Sequence, residues 1–218
     1  MISIFSRLVA LILLLLLSPL LIVISLGSFI FQGLPILFKQ ERVGYKFKAF
    51  QLYKFRSMRS DDRKSKITAA NDSRVTAWGE ILRMTKLDEL PQLWNIVKGE
   101  MRFIGPRPEV DEFFTLEDFS FLKNIKPGLT DFSSILFRQE ASILTNKGGV
   151  ERYPELLQLK LKLGHLYEQH KSLWLDLELV LLTILSIISA RLAANMVKKY
   201  FIQGYDPSLI TEIDGWLD

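Results

Sequence analysis

Two carboxylates stand side by side at Asp88-Glu89, and a guanidinium follows at Arg107, enclosed by Pro106 and Pro108. These residue types suit phosphate chemistry. Around the acids, Leu90, Leu93, Trp94 and Val97 recur at i, i+3, i+4 and i+7, which predicts an amphipathic helix closed by Lys98 and Gly99. Pro91 belongs in a first turn, so the helix is expected to begin near Asp88, with Asp88 as its N-cap. The free N–H groups and partial positive charge of such a terminus would stabilise a phosphate held beside the acids. The plainer alternative is that Asp88 only caps the helix and Glu89 decorates its first turn. Two prolines restrict the swing of Arg107, which suits bidentate contact with a phosphate or a nucleotide edge; a merely rigid turn is the alternative there. His165 and His170 are five apart and do not share a helix face, so they are read as surface histidines and not as a metal pair. The chain contains no Cys, which excludes disulfides and thiolate metal sites.

The elements that must carry these groups divide sharply in composition. No charged residue occurs from Leu8 to Phe38, whereas the segment from Lys39 to Arg74 is dense in Lys and Arg. The net charge of +4 and the hydrophobic content of 49% are therefore averages over two unlike parts. The 24 apolar positions from Leu8 to Phe31 are enough helix to cross a bilayer. The run is too long for a cleaved signal peptide, and no small-residue cleavage pattern follows it. Ser18-Pro19 interrupts it, because proline cannot donate to the Leu15 carbonyl and its ring crowds that group. The Ser18 hydroxyl can satisfy the freed carbonyl. A bent spanning helix and a helix that enters one leaflet and returns are both compatible with this break. The basic flank puts the Lys39 side in the cytoplasm.

Gln40 to Met58, aromatic and β-branched with Gly44 in it, predicts a hairpin of short strands, and 61–71 predicts a polar loop. Trp78 to Thr85 and Tyr153 to Lys171 read as helices, the latter with Leu156, Leu159, Leu163 and Leu166 inward. The uncharged stretch Leu179 to Ala190 is only 12 residues, too short to span. It is read either as an interfacial helix, with Arg191, Lys198 and Lys199 near headgroups, or as a core helix. A nucleic-acid partner is not expected, since no binding motif occurs beside the hydrophobic anchor. The fold class expected is α+β and mostly helical, with a broken amino-terminal membrane helix, a short β-hairpin and interfacial amphipathic helices. Three regions are expected: 1–38, 39–172 and 173–218.

Together, the Ser-Pro break, YKFRSM, LDELPQLWNIVKGEMRFIGPRP, KPGLT and SLWLDLEL resemble the bacterial sugar transferases, which move hexose 1-phosphate onto polyprenyl phosphate. The resemblance runs from about Leu8 to about Ile188. It implies a re-entrant first helix broken at Ser18-Pro19, with the catalytic domain on the cytoplasmic face of the bacterial inner membrane. It implies an Asp88-Glu89 dyad working with Mg2+, in which Asp88 attacks the β-phosphate of a UDP-sugar, UMP leaves, and lipid phosphate attacks the resulting aspartyl phosphosugar. Arg56, Arg83 and, less directly, Lys54 match positions that hold phosphoryl oxygens, and Pro106-Arg107-Pro108 aligns with a nucleotide-binding turn. Adjacent carboxylates repel unless a cation intervenes, so a divalent metal on Asp88 and Glu89 is the expected remedy. The partners implied are UDP-sugar, polyprenyl phosphate and membrane lipid, and a homodimer is left open. Many members continue KPGITG into a Gln-Val-Asn-Gly stretch; here Asp131 to Glu140 departs from it, so no sugar contact carries over. A non-catalytic scaffold that binds lipid phosphate or nucleotide sugar is the competing reading.

Overall fold

The computed structural model describes residues 2–59, 72–109 and 118–217; the loop expected at 61–71 lies outside the described residues. The apolar run forms two helices, α1 (Ile2–Leu16) and α2 (Ser18–Gln32), bent by 63° at their junction. Pro19 leaves the Leu15 carbonyl without its helical donor, and Ser18 Oγ donates to that carbonyl at 2.7 Å. Among the described residues no single helix is long and apolar enough to cross a membrane, while the bent pair meets that length and composition only together.

Both helices dock on the basic part of the chain. Ala10 of α1, with Leu13, Leu14 and Leu17, packs against Phe50, Leu52, Leu93, Ile96 and Met101. Ile24 and Leu21 of α2 pack against Phe55, Leu82 and Trp78. Gly27 allows that approach, since a Cβ there would stand 2.6 Å from the Trp78 ring, and the indole N–H donates to Ser28 Oγ at 3.0 Å. The opposite sides of α1 and α2 expose Leu8, Leu15, Ile22, Phe29 and Ile30.

The predicted hairpin is present as β1 (Leu37–Val43) and β2 (Ala49–Phe55), antiparallel, with Leu37 opposite Phe55 and Val43 opposite Ala49. Phe50 and Leu52 point inward and Gln51 outward, the two-residue period of a half-buried strand. Helix α3 (Ala77–Met84) follows, capped by Thr76 Oγ1, which accepts from Gly79 N at 2.9 Å.

Helix α4 (Gln92–Lys98) ends at Gly99 in the left-handed conformation, as the Lys-Gly ending predicts. Its start differs from expectation. Asp88 is not an N-cap: it lies in a separate 3-10 turn, Leu87–Glu89, introduced by Lys86 at φ 60°, and Pro91 occupies the cap position of α4. The N–H groups of Leu93 and Trp94 bond back to Leu90 and Pro91 carbonyls at 3.0 Å, so they are not free to hold an anion. The apolar face is rotated as well. Leu93 and Ile96 are buried under α1 and β2, with Asn95 and Gln92 beside them, whereas Trp94 is 49% exposed.

Strand β3 (Arg102–Ile104) pairs in parallel with β4 (Gly128–Thr130), a contact for which the sequence offered only the Pro106-Arg107-Pro108 turn and the KPGLT motif beside it. Then follow α5 (Phe132–Leu136), α6 (Glu140–Asn146), α7 (Tyr153–His170), α8 (Leu173–Ile188), α9 (Ala190–Val197), a π-helical turn at Lys198–Ile202, α10 (Gln203–Tyr205) and α11 (Ser208–Leu217). The expected inward leucines of α7 are all buried. Helix α8 packs one face into the core, with Leu175, Leu179 and Leu182 buried, and leaves Trp174, Leu177, Leu181, Ile184 and Ile188 exposed. One continuous core joins Val43, Phe132 and Leu156 to Phe201, Ile213 and Trp216. The mostly helical α+β class agrees with expectation.

Candidate active site

The dyad turn packs between β2 and α3. Asp88 and Glu89 are only 6% and 8% exposed, and two adjacent buried carboxylates require nearby cations. The fold brings them from three directions. Lys54 Nζ, on β2, donates to Glu89 Oε1 at 3.0 Å. Arg107 takes Glu89 in a two-point grip, Nη2 on Oε1 and Nη1 on Oε2 at 3.4 Å. Lys86 Nζ stands 3.9 Å from the same carboxylate. Burial alone would raise the Glu89 pKa, but Arg107, Lys54 and Lys86 together outweigh it and hold the carboxyl well below the usual range. In return, Glu89 raises the pKa of Arg107. Lys54 is pushed down, by burial first and by Arg107 as well, against the pull of Glu89.

Asp88 is in the opposite condition. Its Oδ1 is buried without a hydrogen-bond partner among the described residues. Burial, with Glu89 beside it, pushes its carboxyl up, and Lys54, Lys86 and Arg83 pull it down. The side chain of Arg83, half-buried on the last turn of α3, makes no hydrogen bond or ion pair among the described residues, so its donors remain available. The site thus combines one carboxylate committed to salt bridges with one that keeps an unsatisfied oxygen. That oxygen can accept a cation or attack an electrophile.

Of the residues singled out in the sequence, Asp88, Glu89, Lys54, Arg83 and Arg107 are brought together. Pro106 and Pro108 brace Arg107 through their backbones: the Pro106 carbonyl accepts from Gly128 N at 3.0 Å, and the Pro108 carbonyl accepts from Arg42 Nη1 at 2.9 Å. Arg56 is engaged elsewhere. Its guanidinium donates to the carbonyls of Gln32, Gly33 and Leu34, and Gln32 Nε2 donates back to the Arg56 carbonyl at 2.8 Å. It caps the end of α2, where unpaired carbonyls concentrate negative charge. Ser18 and Pro19 form the bend between α1 and α2 and are not part of the dyad cluster.

No group of three or more His, Asp or Glu among the described residues could hold a metal unaided. A hard divalent ion fits the donors that remain, because Mg2+ commonly takes one or two carboxylates and completes its shell with substrate phosphates and water. Asp88 Oδ1, buried and without a hydrogen-bond partner among the described residues, is the oxygen left uncommitted; both Glu89 oxygens are taken by Arg107 and Lys54. Lys54, Arg107 and Lys86 already lessen the repulsion within the dyad on the Glu89 side, and a divalent ion at Asp88 would add to them.

Several contributors were not picked out from the sequence. Lys86, two residues before Asp88, carried only the weak signal of proximity. Arg138, by contrast, was already a candidate phosphate contact in the divergent stretch; it donates to the Met84 carbonyl at 3.2 Å, and Glu89 acts on its charge. Asn95 lay in an expected apolar helix, yet it ties β2 to α4 by donating to the Gln51 carbonyl at 2.6 Å and accepting from Tyr53 N at 3.2 Å. Glu109 and Lys160 form a buried pair at 2.9 Å behind the Arg107 turn. Lys160 did leave a signal, a charge beside the inward leucines of α7.

The sequence profile described as Bacterial sugar transferase matches residues 1–190. The UDP-glucose:undecaprenyl-phosphate glucose-1-phosphate transferase of Xanthomonas campestris pv. campestris is 33% identical over 199 residues, covering 86% of this chain and 39% of that protein. The UDP-N-acetylgalactosamine-undecaprenyl-phosphate N-acetylgalactosaminephosphotransferase of Aeromonas hydrophila is 33% identical over 162 residues, 71% of this chain and 36% of the relative. An uncharacterized sugar transferase of Bacillus subtilis (strain 168), EpsL, is 35% identical over 159 residues, 72% of this chain and 71% of its own length. The chain spans well under half the length of the first two. With a family match across most of its residues and an intact dyad at its centre, the chain belongs to the bacterial sugar transferase family.

Proposed function

We propose that the protein transfers a sugar 1-phosphate from a UDP-sugar to a polyprenyl phosphate such as undecaprenyl phosphate, releasing UMP. The observation that carries this reading is the Asp88 carboxylate, buried among cations with Oδ1 unpartnered. In the first step an Asp88 oxygen bonds to the β-phosphorus of the UDP-sugar, the bond from that phosphorus to the bridging oxygen breaks, and UMP leaves with the electron pair. In the second, an oxygen of the lipid phosphate attacks the same phosphorus and Asp88 departs as carboxylate. The protein's share is positioning and charge stabilisation. Lys54, Lys86 and Arg83 bring positive charge to bear on the Asp88 carboxyl; Arg107, with two of its five N–H donors on Glu89, keeps three for phosphate or nucleotide. The Asp88 carboxylate, together with substrate oxygens, would hold Mg2+, which when bound would supply Lewis-acid neutralisation of the diphosphate. Glu89 orients Arg107 and Lys54. The named relatives support UDP and undecaprenyl phosphate and differ in the sugar, glucose in one and N-acetylgalactosamine in another.

The bent helix pair is read as re-entrant, in the bacterial cytoplasmic membrane with the site on the cytoplasmic face. Support comes from the docking of both arms on the same body and from the apolar residues left bare. These comprise the outer sides of α1 and α2, Ile81, Met84 and Trp94, and the outer face of α8.

The test uses the full chain in lipid nanodiscs with Mg2+, undecaprenyl phosphate and a panel of UDP-sugars. UMP release is expected with at least one sugar, and Asp88→Asn is expected to abolish it with the circular dichroism spectrum unchanged. Full activity in that variant would overturn the nucleophile assignment, and nucleotide-sugar binding without UMP release would favour a scaffold.

A further inference from the structure

Behind the Pro106-Arg107-Pro108 turn lies a second charged cluster that touches no reacting atom. Glu109, 6% exposed, accepts from Lys160 Nζ at 2.9 Å and from the Tyr153 hydroxyl at 2.8 Å, with Arg42 Nη1 at 3.6 Å. Lys160, midway along α7 and 9% exposed, directs its other donors to Glu140 Oε2 at 3.1 Å and the Tyr153 oxygen at 3.2 Å. From the β1 side, Arg42 holds the Pro108 carbonyl at 2.9 Å and Val43 N donates to the Glu109 carbonyl at 3.3 Å.

Stability is a weak reason for this arrangement. Lys160 lies among Leu156, Leu157, Leu159, Leu161 and Leu163, all buried, where an apolar side chain would pack. Replacing a buried ion pair by well-packed apolar groups is commonly neutral or stabilising. What the cluster does supply is a fixed position for the chain two residues beyond Arg107. Glu109 cannot shift without breaking contacts to α7 and β1 together, and Arg107 meets Glu89 in a two-point grip that tolerates little misalignment. Glu140 gives Lys160 a second anchor on α6.

We infer that Lys160 is a positioning residue for the proposed transfer, acting through Glu109 to hold Arg107 in register with the dyad. This rests on the function proposed above. The experiment compares Lys160→Met and Tyr153→Phe, each in the unmodified chain and in Arg107→Ala, by kcat/KM for UMP release and by calorimetric affinity for UDP. Lys160→Met should lower kcat/KM by about 10- to 100-fold, the scale of a displacement near 1 Å. Tyr153→Phe removes one hydroxyl and should lower it by roughly 2- to 10-fold, the scale of one hydrogen bond. Both losses, and the accompanying loss of UDP affinity, should vanish in the Arg107→Ala background. Losses that multiply undiminished in that background, or variants with unaltered kcat/KM and UDP affinity, would overturn the inference. If Lys160→Met fails to fold, Tyr153→Phe decides by the same cycle. Absence of UMP release from the unmodified chain defeats the transfer reading instead, and the UDP titrations then judge Lys160 alone.

Discussion

Adjacent carboxylates in one buried turn would normally raise each other's pKa, and the site avoids a shared fate by giving them different neighbours. Glu89 receives Arg107 and Lys54; Asp88 keeps a bare oxygen. The same logic governs Glu109, whose burial alone would raise its pKa while Lys160 and Arg42 together bring it below 4.5. A depressed folded-state pKa stabilises the fold above the ordinary carboxylate value, and that contribution is lost as pH falls through the lower folded value. Glu109→Gln leaves Lys160 and Arg42 short of a counter-charge, so at pH 7 we expect a loss of about 3 kcal/mol. That corresponds to a Tm lower by roughly 6–12 °C in a chain of this size. The gap should narrow as melting is followed below pH 4.5, because the parent then loses what the variant never had. A gap constant to acid pH would mean that Glu109 is not held as a carboxylate. Asp88, Glu89 and Arg107 were singled out in the sequence by type and spacing, but residue types alone left the acids open between a helix cap and a working pair, and it was the family resemblance that paired them. Which acid stays free was not legible, because that depends on Lys54, which reaches Glu89 only once β2 is folded beside the dyad turn.

At the level of elements, what could be read in advance had a local cause. The hairpin, α3 and α7 follow from periodicity, and the end of α4 follows from Lys98-Gly99. The pairing of β3 with β4 did not, since strands of three residues carry no period and their partners are joined by a long excursion. Its trace is a pair of glycines. A Cβ on Gly128 would lie 2.1 Å from Gly105 N and 2.5 Å from its carbonyl oxygen, backbone atoms that cannot rotate aside. Gly128→Ala must therefore separate the strands and strain the Gly128 N–H bond to the Pro106 carbonyl, which braces Arg107. We expect a cost at or above the 1–3 kcal/mol, roughly, of ordinary overpacking, with UMP release falling at the same time. Gly204→Ala, where a Cβ meets nothing within 4 Å, serves as the comparison and should leave both melting and activity unchanged. Equal behaviour of the two variants would remove the close approach of β3 and β4 as the device that sets the turn.

For the whole molecule, the amino-terminal pair must satisfy its own backbone and its docking surface together. Ser18 answers the carbonyl that Pro19 orphans, so the bend needs no water at that point. The arms are then tied down at both extremities: Arg7 Nη2 donates to the Lys98 carbonyl at the end of α4, and Arg56 caps α2. Straightening the pair into a spanning helix would pull at least one arm from the body, exposing Ala10 and its neighbours or Ile24 and its neighbours, and would strip one arginine of its carbonyls. Residue preferences alone did not choose between spanning and returning, because the two differ in tertiary contacts and not in local preference; only the family resemblance favoured returning. The re-entrant reading proposed above puts the amino-terminus and the dyad on the same side of the bilayer. The chain has no Cys, so Ser3→Cys introduces a unique thiol. An impermeant maleimide should modify it in inside-out vesicles and not in intact spheroplasts. The reverse pattern would require the pair to cross, and with it the loss of either the Arg7 or the Arg56 clamp.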